Sequence, residues 1–123
     1  MLAHPTLDDI PIGDLDFLKH LASLSGASIA RKLLMSAPEA VEKEISLIKI
    51  SIENNDSDEL KNACHALRGA CYSVQVRRLA DMARKIENVA SNIPKAKELL
   101  PDLELICSET FAWWEKVLDE DLI

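Results

Sequence analysis

Apolar residues recur along most of this chain at spacings of three and four, the period that lines up one face of an α-helix. After Asp14, Phe17, Leu18, Leu21 and Leu24 make such a face and Ser25-Gly26 ends it, which predicts a short helix. A longer stripe runs from about Ser28 to Asn54 through Ile29, Leu33, Leu34, Val41, Ile45, Ile48 and Ile52. Pro38 interrupts it, either as a kink in one bent helix or as the restart of a second one behind a Ser36-Ala37-Pro38-Glu39 capping box. Asn54-Asn55-Asp56-Ser57 breaks the pattern, and Asp56 followed three residues later by Glu59 predicts a new helix start.

Leu60, Cys64, Leu67, Cys71 and Val74 then form one continuous seam, so both cysteines are expected in a core. The opposite face of that helix carries Asp58, Lys61, Asn62, His65, Arg68, Gly69 and Tyr72. A further helix places Val76, Leu79, Ala83, Ile86 and Ala90 on one side, and Ser91-Asn92-Ile93-Pro94 closes it. The last segment presents Leu99, Leu103, Ile106, Thr110, Trp113 and Val117, with Pro101 bending it or marking its true start. Consecutive Trp113 and Trp114 cannot share a face, so one should pack inward and the other lie at the boundary. Four long helices with short links predict an all-α, antiparallel up-and-down four-helix bundle with an additional short N-terminal helix. Residues 1–12, with two prolines and no periodicity, are expected to form an extended arm, and residues 13–123 a single domain.

Composition agrees with that picture. The chain has 123 residues, only five of them aromatic and three glycine, and that length suffices for a core without metal or disulfide support. Three cysteines with no CxxC pair suggest free thiols and no metal site. No apolar run approaches the ~20 residues of a membrane span, and the N-terminus lacks a signal-peptide pattern, so a cytoplasmic protein with no membrane association is expected. Net charge is −7, which argues against nucleic-acid binding. Between Lys61 and Lys85, however, six basic residues face the single acid Asp81, a local charge of +5. Such a segment is either an ordinary solvated helix surface or a surface that meets an acidic partner.

The chemistry centres on His65-Ala66-Leu67-Arg68-Gly69. A glycine inside a helix costs about 1 kcal/mol relative to alanine. Gly69, four residues after His65, leaves bare backbone beside the imidazole and lets the ring be approached. Arg68, three residues on, sets a permanent cation on the same side. Most exposed histidines on helices do nothing, but that explanation leaves Gly69 without a reason. An approachable nucleophilic histidine beside a cation points to phosphate. His4 and His20 have no comparable setting.

His65-Ala66-Leu67-Arg68-Gly69-Ala70, with Leu79 and Ile86-Glu87 further on, resembles the His-x-Leu-(Lys/Arg)-Gly-(Ser/Ala) signature of histidine-containing phosphotransfer (HPt) domains. The order of helices over about residues 14–119 is also similar to that family. Two positions differ: Gln75-Val76 stands where a glycine-containing pair usually marks the turn after the histidine helix, and Ala70-Cys71 replaces small hydroxyl residues. The turn is therefore either a tight one without glycine, or the helix ends a few residues elsewhere.

The resemblance implies a phosphorelay carrier. His65 would accept a phosphoryl group from a receiver-domain aspartate and pass it to a response-regulator receiver, with a hybrid histidine kinase upstream. Free imidazole, with a pKa near ~6.5, offers a lone pair at neutral pH. Phosphoryl transfer depends mainly on positioning and charge stabilisation, so Arg68 is the expected phosphoryl-stabilising residue. Lys61, Asn62, Gly69 and Tyr72 would line the receiver-docking face, with Lys61 taking a lesser part in that stabilisation. The chain itself is expected to need no cofactor, magnesium belonging to the receiver, and to act as a monomer without kinase activity. No P-loop, nucleotide-binding glycine loop or second acid or base stands near His65 in sequence. The alternatives are a non-phosphorylated adaptor or inhibitor docking on a kinase or receiver, and an unrelated helical scaffold.

Overall fold

The computed structural model describes residues 9–123, so the first residues of the expected arm, and His4 with them, lie outside the described part. Among the described residues there are six helices and no strand: α1 (Leu15–Ser25), α2 (Ala27–Glu53), α3 (Ser57–Ser73), α4 (Arg77–Asn88), α5 (Ile93–Glu98) and α6 (Leu100–Asp119). Packing of α2 on α3, α3 on α4, α4 on α6 and α6 on α2 closes a ring around one core, while α1 packs chiefly on α2. Among the described residues no helix is long and apolar enough to cross a membrane.

The helix starts and stops follow from side-chain chemistry. Asp14 accepts a hydrogen bond from the Phe17 amide at 2.9 Å and Asp56 from the Glu59 amide at 3.1 Å, each satisfying an orphan donor of the first turn. Gly26 ends α1 and opens α2 at φ 95° and ψ 145°, a conformation open in practice only to glycine. The turn from α3 to α4 needs no glycine. Gln75 takes φ 55°, and the Val76 amide donates to the Cys71 carbonyl at 3.0 Å, the long bond of a Schellman cap. Val76 is fully buried just past the cap, and the Gln75 side-chain amide donates to the Tyr72 carbonyl at 3.1 Å. Hydrophobic closure and a local hydrogen bond offset the cost of a left-handed glutamine. Asn55, at φ 54°, does the same between α2 and α3, where the Asp56 amide donates to the Ser51 carbonyl at 2.9 Å.

Several sequence expectations need correction. At Pro38 the single-helix alternative is the one that forms, α2 running through it, and the capping-box restart does not: the Ser36 hydroxyl donates back to the Leu33 carbonyl at 3.0 Å. The surrounding α2 stripe, with Leu34, Ala37 and Val41 buried on both sides of the proline, keeps the helix together where propensity alone would break it. Ile29 and Leu24 are 56% and 72% exposed, not part of the core, because α1 covers only one neighbour and leaves its last turn and the first turn of α2 at the surface. The segment after Asn92 is two helices, which makes six rather than five. The Asn92 side chain caps α5 by accepting from the Lys95 amide at 3.2 Å, and Pro101, which has no amide hydrogen to donate, stands in the first turn of α6. On α6 the inward tryptophan is Trp114, 1% exposed and stacked on Phe111 at 5.4 Å between ring centres, whereas Trp113 is half-buried. The ring of Trp113 lies against Gly13 so closely that a Cβ there would come within 2.5 Å of it.

Candidate functional site

The α3 seam behaves as its spacing requires. Leu60, Cys64, Leu67, Cys71 and Val74 are all buried, which fixes the opposite face outward. That face exposes Lys61, Asn62, His65, Gly69 and Tyr72, with Arg68 half-buried at its edge. Among the described residues, Lys61, Asn62 and His65 make no side-chain hydrogen bond or ion pair, so the imidazole stands in water without a base or a locking partner.

Gly69 is exposed, and a Cβ built on it would meet nothing within 4 Å. The glycine is therefore not demanded by packing inside the fold. Its bare backbone flanks the His65 ring from the next turn of the same helix, and only something arriving from outside would benefit from the space.

The electrostatics differ from a free cationic patch. Arg68 Nη1 donates to Glu87 Oε1 of α4 at 2.7 Å, with about a quarter of each side chain exposed (26% and 25%). Arg84 pairs with Asp81 at 3.1 Å and also reaches the Tyr72 hydroxyl at 3.4 Å. Arg78, only 13% exposed, donates to the Ile10 carbonyl at 2.8 Å and pairs with Glu109 at 3.3 Å, and Arg77 approaches Asp14 at 3.7 Å. Four of the six cations between Lys61 and Lys85 thus sit in ion pairs, three of them with acids outside that segment. The expected unbroken +5 surface is largely neutralised, and Lys61 is the unpaired cation on the His65 helix.

Burial and charge explain the titration of the neighbours. Desolvation, helped by the nearby Glu87 carboxylate, pushes the Cys64 thiol up to about 12, and burial does the same for Cys71, also to about 12. The half-buried Cys107 rises to about 11. All three are free thiols, far from the thiolate form that nucleophilic or metal-binding cysteines need. Tyr72, 41% exposed, has its phenol lowered by the Arg84 guanidinium first and Arg68 second. No cluster of three or more histidine, cysteine or acidic side chains suited to a metal occurs among the described residues.

The structure thus brings His65, Gly69, Lys61, Asn62 and Tyr72 to one exposed face and sets Arg68 at its edge. What spacing within α3 did not disclose is Glu87, the acid that holds Arg68, and Arg84, which touches Tyr72. Part of the signal was in hand, since Ile86-Glu87 belongs to the family resemblance and Glu87 is an acid two residues beyond the basic segment. Only knowing which flank of α4 meets α3 turns it into a contact.

The model of the Hpt domain family matches residues 28–119, a span that covers α2 to α6 and contains the whole histidine face. No curated protein and no solved structure matches the chain. An exposed histidine on a helix with open space one turn away, inside a chain matched over most of its length, has one family explanation: the protein belongs to the Hpt domain family, whose members carry phosphoryl groups in phosphorelays and interact with receiver domains and histidine kinases.

Proposed function

We propose that this protein is a phosphohistidine carrier of a multistep two-component relay, accepting a phosphoryl group on His65 from the aspartate of a receiver domain and passing it to a second, response-regulator receiver. The observation that supports this best is the exposed imidazole with unfilled space at Gly69. In the transfer a ring nitrogen lone pair attacks phosphorus, the N–P bond forms as the P–O bond to aspartate breaks, and the carboxylate leaves with the electron pair. The second ring nitrogen keeps its proton, so no general base is needed. Onward transfer reverses these bonds at another aspartate.

In this account Arg68 stabilises the phosphoryl oxygens, with Lys61 as a lesser, exposed cation. Lys61, Asn62, Gly69 and Tyr72 form the docking face, and Gly69 lets the partner's acidic pocket close over the ring. The chain acts as a carrier and not as a kinase, and the magnesium that supports transfer is supplied by the receiver. We further infer an antiparallel four-helix arrangement of α2, α3, α4 and α6, since the short links after α2 and α3 reverse the chain, together with a monomeric, cytoplasmic state and a hybrid histidine kinase as the upstream source.

The test is incubation with a panel of phosphorylated receiver domains, following labelled phosphoryl groups over time. A subset of receivers should lose label to this protein, and a second subset should gain it. Transfer from none of them would contradict the proposal.

A further inference from the structure

Glu87 already occupies the cation that a phosphoryl group on His65 would draw upon. The 2.7 Å contact joins α4 to α3 with only about a quarter of either side chain exposed (26% and 25%), so it is less screened than a surface pair. Glu87 forms no other ion pair among the described residues. Arg68 Nε, meanwhile, is buried and has no hydrogen-bond partner. The guanidinium bonds Glu87 through one nitrogen and also interacts with the Tyr72 hydroxyl, and does not form the two-pronged fork that saturates an arginine on a carboxylate. It is anchored, with Glu87 as its one carboxylate partner among the described residues.

We propose that Glu87 is a positioning residue that competes with the phosphoryl group for Arg68, and so sets how readily phospho-His65 gives its phosphoryl group away. This rests on the roles assigned above to His65 and Arg68. Glu87 takes no part in the bonds that form and break, which are the N–P and P–O bonds already described. Its effect is on the balance between the two states. Before transfer Arg68 faces one carboxylate, Glu87, with the Tyr72 hydroxyl beside it. After transfer a phosphoryl group carrying up to about two negative charges sits three residues from Arg68, and the cation must be shared. Sharing weakens what each anion gains, and the carboxylate and the phosphoryl group repel one another across the guanidinium. Both effects disfavour phospho-His65 relative to free His65, which suits a carrier whose bound group must leave again.

The measurement is the equilibrium partition of label between phospho-His65 and a receiver domain found to exchange with it. Glu87→Gln keeps the shape and removes the charge, and should shift the partition about threefold to fivefold toward phospho-His65, a size set by ion-pair energies of this class. Glu87→Ala, a second neutral variant, should shift it in the same direction. Glu87→Asp keeps the charge and should stay closer to wild type than either. In an Arg68→Ala background, adding Glu87→Gln should shift the partition less than it does with Arg68 present, because only the direct repulsion remains and no cation is left to compete for. A purely structural role would lower the melting temperature and slow transfer in both directions without moving the equilibrium. Equal partition in wild type, Glu87→Gln and Glu87→Ala, with His65 phosphorylated in all three, would overturn this inference and leave the carrier function standing. Failure of wild-type His65 to take label from any donor would overturn both.

Discussion

The Tyr72 hydroxyl on α3 lies 3.4 Å from Arg84 Nη2 on α4, so an aromatic exposed on the histidine face is electrostatically tied to the neighbouring helix. Because Tyr72 is the single tyrosine of the chain, its titration can be followed without overlap by tyrosinate absorbance. The phenol should ionise below the ordinary tyrosine value of about 10, with Arg84 as the main cause and Arg68 second. Arg84→Ala should move it back up, and more than Arg68→Ala does. The sign for stability follows: the folded state releases this proton first, so Tyr72 adds stability as pH rises from its lowered pKa toward the ordinary value. An unchanged midpoint in Arg84→Ala would mean the contact does not persist in solution.

Opposite in sign, the buried cysteines should make the protein alkali-sensitive. Cys64 and Cys71 ionise at about 12 in the folded state, against 9.0 for the ordinary thiol, so unfolding releases their protons above pH 9. Stability is complete below that value and declines as pH rises from 9 toward 12. Denaturant midpoints across that range should fall, and a Cys64→Ser, Cys71→Ser protein should show a flatter decline from a lower starting stability. Thiol labelling at neutral pH should reach the half-buried Cys107 before the other two.

Gly69→Leu separates approach from folding. Position 69 is exposed with open space around it, so the variant should fold, and its melting temperature should rise, since leucine improves helix propensity by up to about 1 kcal/mol. Phosphoryl transfer to His65 should slow by about tenfold or more as the new side chain obstructs the ring. Wild-type transfer kinetics in the folded variant would remove the steric explanation of the glycine.

Much of the fold was legible because it rests on local signals. The α3 seam from Leu60 to Val74, the aspartate caps at Asp14 and Asp56 and the end of α1 at Gly26 each depend on residues within a few positions of one another. Pro38 left one helix or two open because a proline locally favours a break, while the packing of Leu34, Ala37 and Val41 that carries α2 past it is tertiary. The apolar stripe of the last segment included Trp113, yet the inward ring is Trp114, because a one-residue choice needs the α6 register against its neighbours. At the site, the face made by His65, Gly69 and Tyr72 was readable from helical spacing. The ion pairs of Arg68, Arg77 and Arg78 were not, since Glu87, Asp14 and Glu109 come from other helices or their caps.

Those ion pairs change what salt should do to docking. With four of six segment cations neutralised, steering of an acidic receiver should depend on Lys61 and Lys85, and the on-rate should fall only modestly with ionic strength. Lys61→Ala should lower the on-rate about twofold to threefold at low salt, whereas Arg78→Ala should lower thermal stability and leave association unchanged. Tyr72→Ala should weaken equilibrium binding, as loss of an aromatic near an interface centre does. Stopped-flow association at several salt concentrations distinguishes these, and a Tyr72→Ala protein that binds normally would place the docking face elsewhere on the bundle.

The central claim is that His65 itself takes the phosphoryl group, and its most direct measurement is the chemistry of the adduct formed with a phosphorylated receiver. Wild type should gain one label that is lost in acid and stable in alkali, as a phosphoramidate is and an aspartyl phosphate is not, and His65→Gln should gain none. Labelling of His65→Gln at the wild-type rate, or an adduct that alkali removes, would contradict the account.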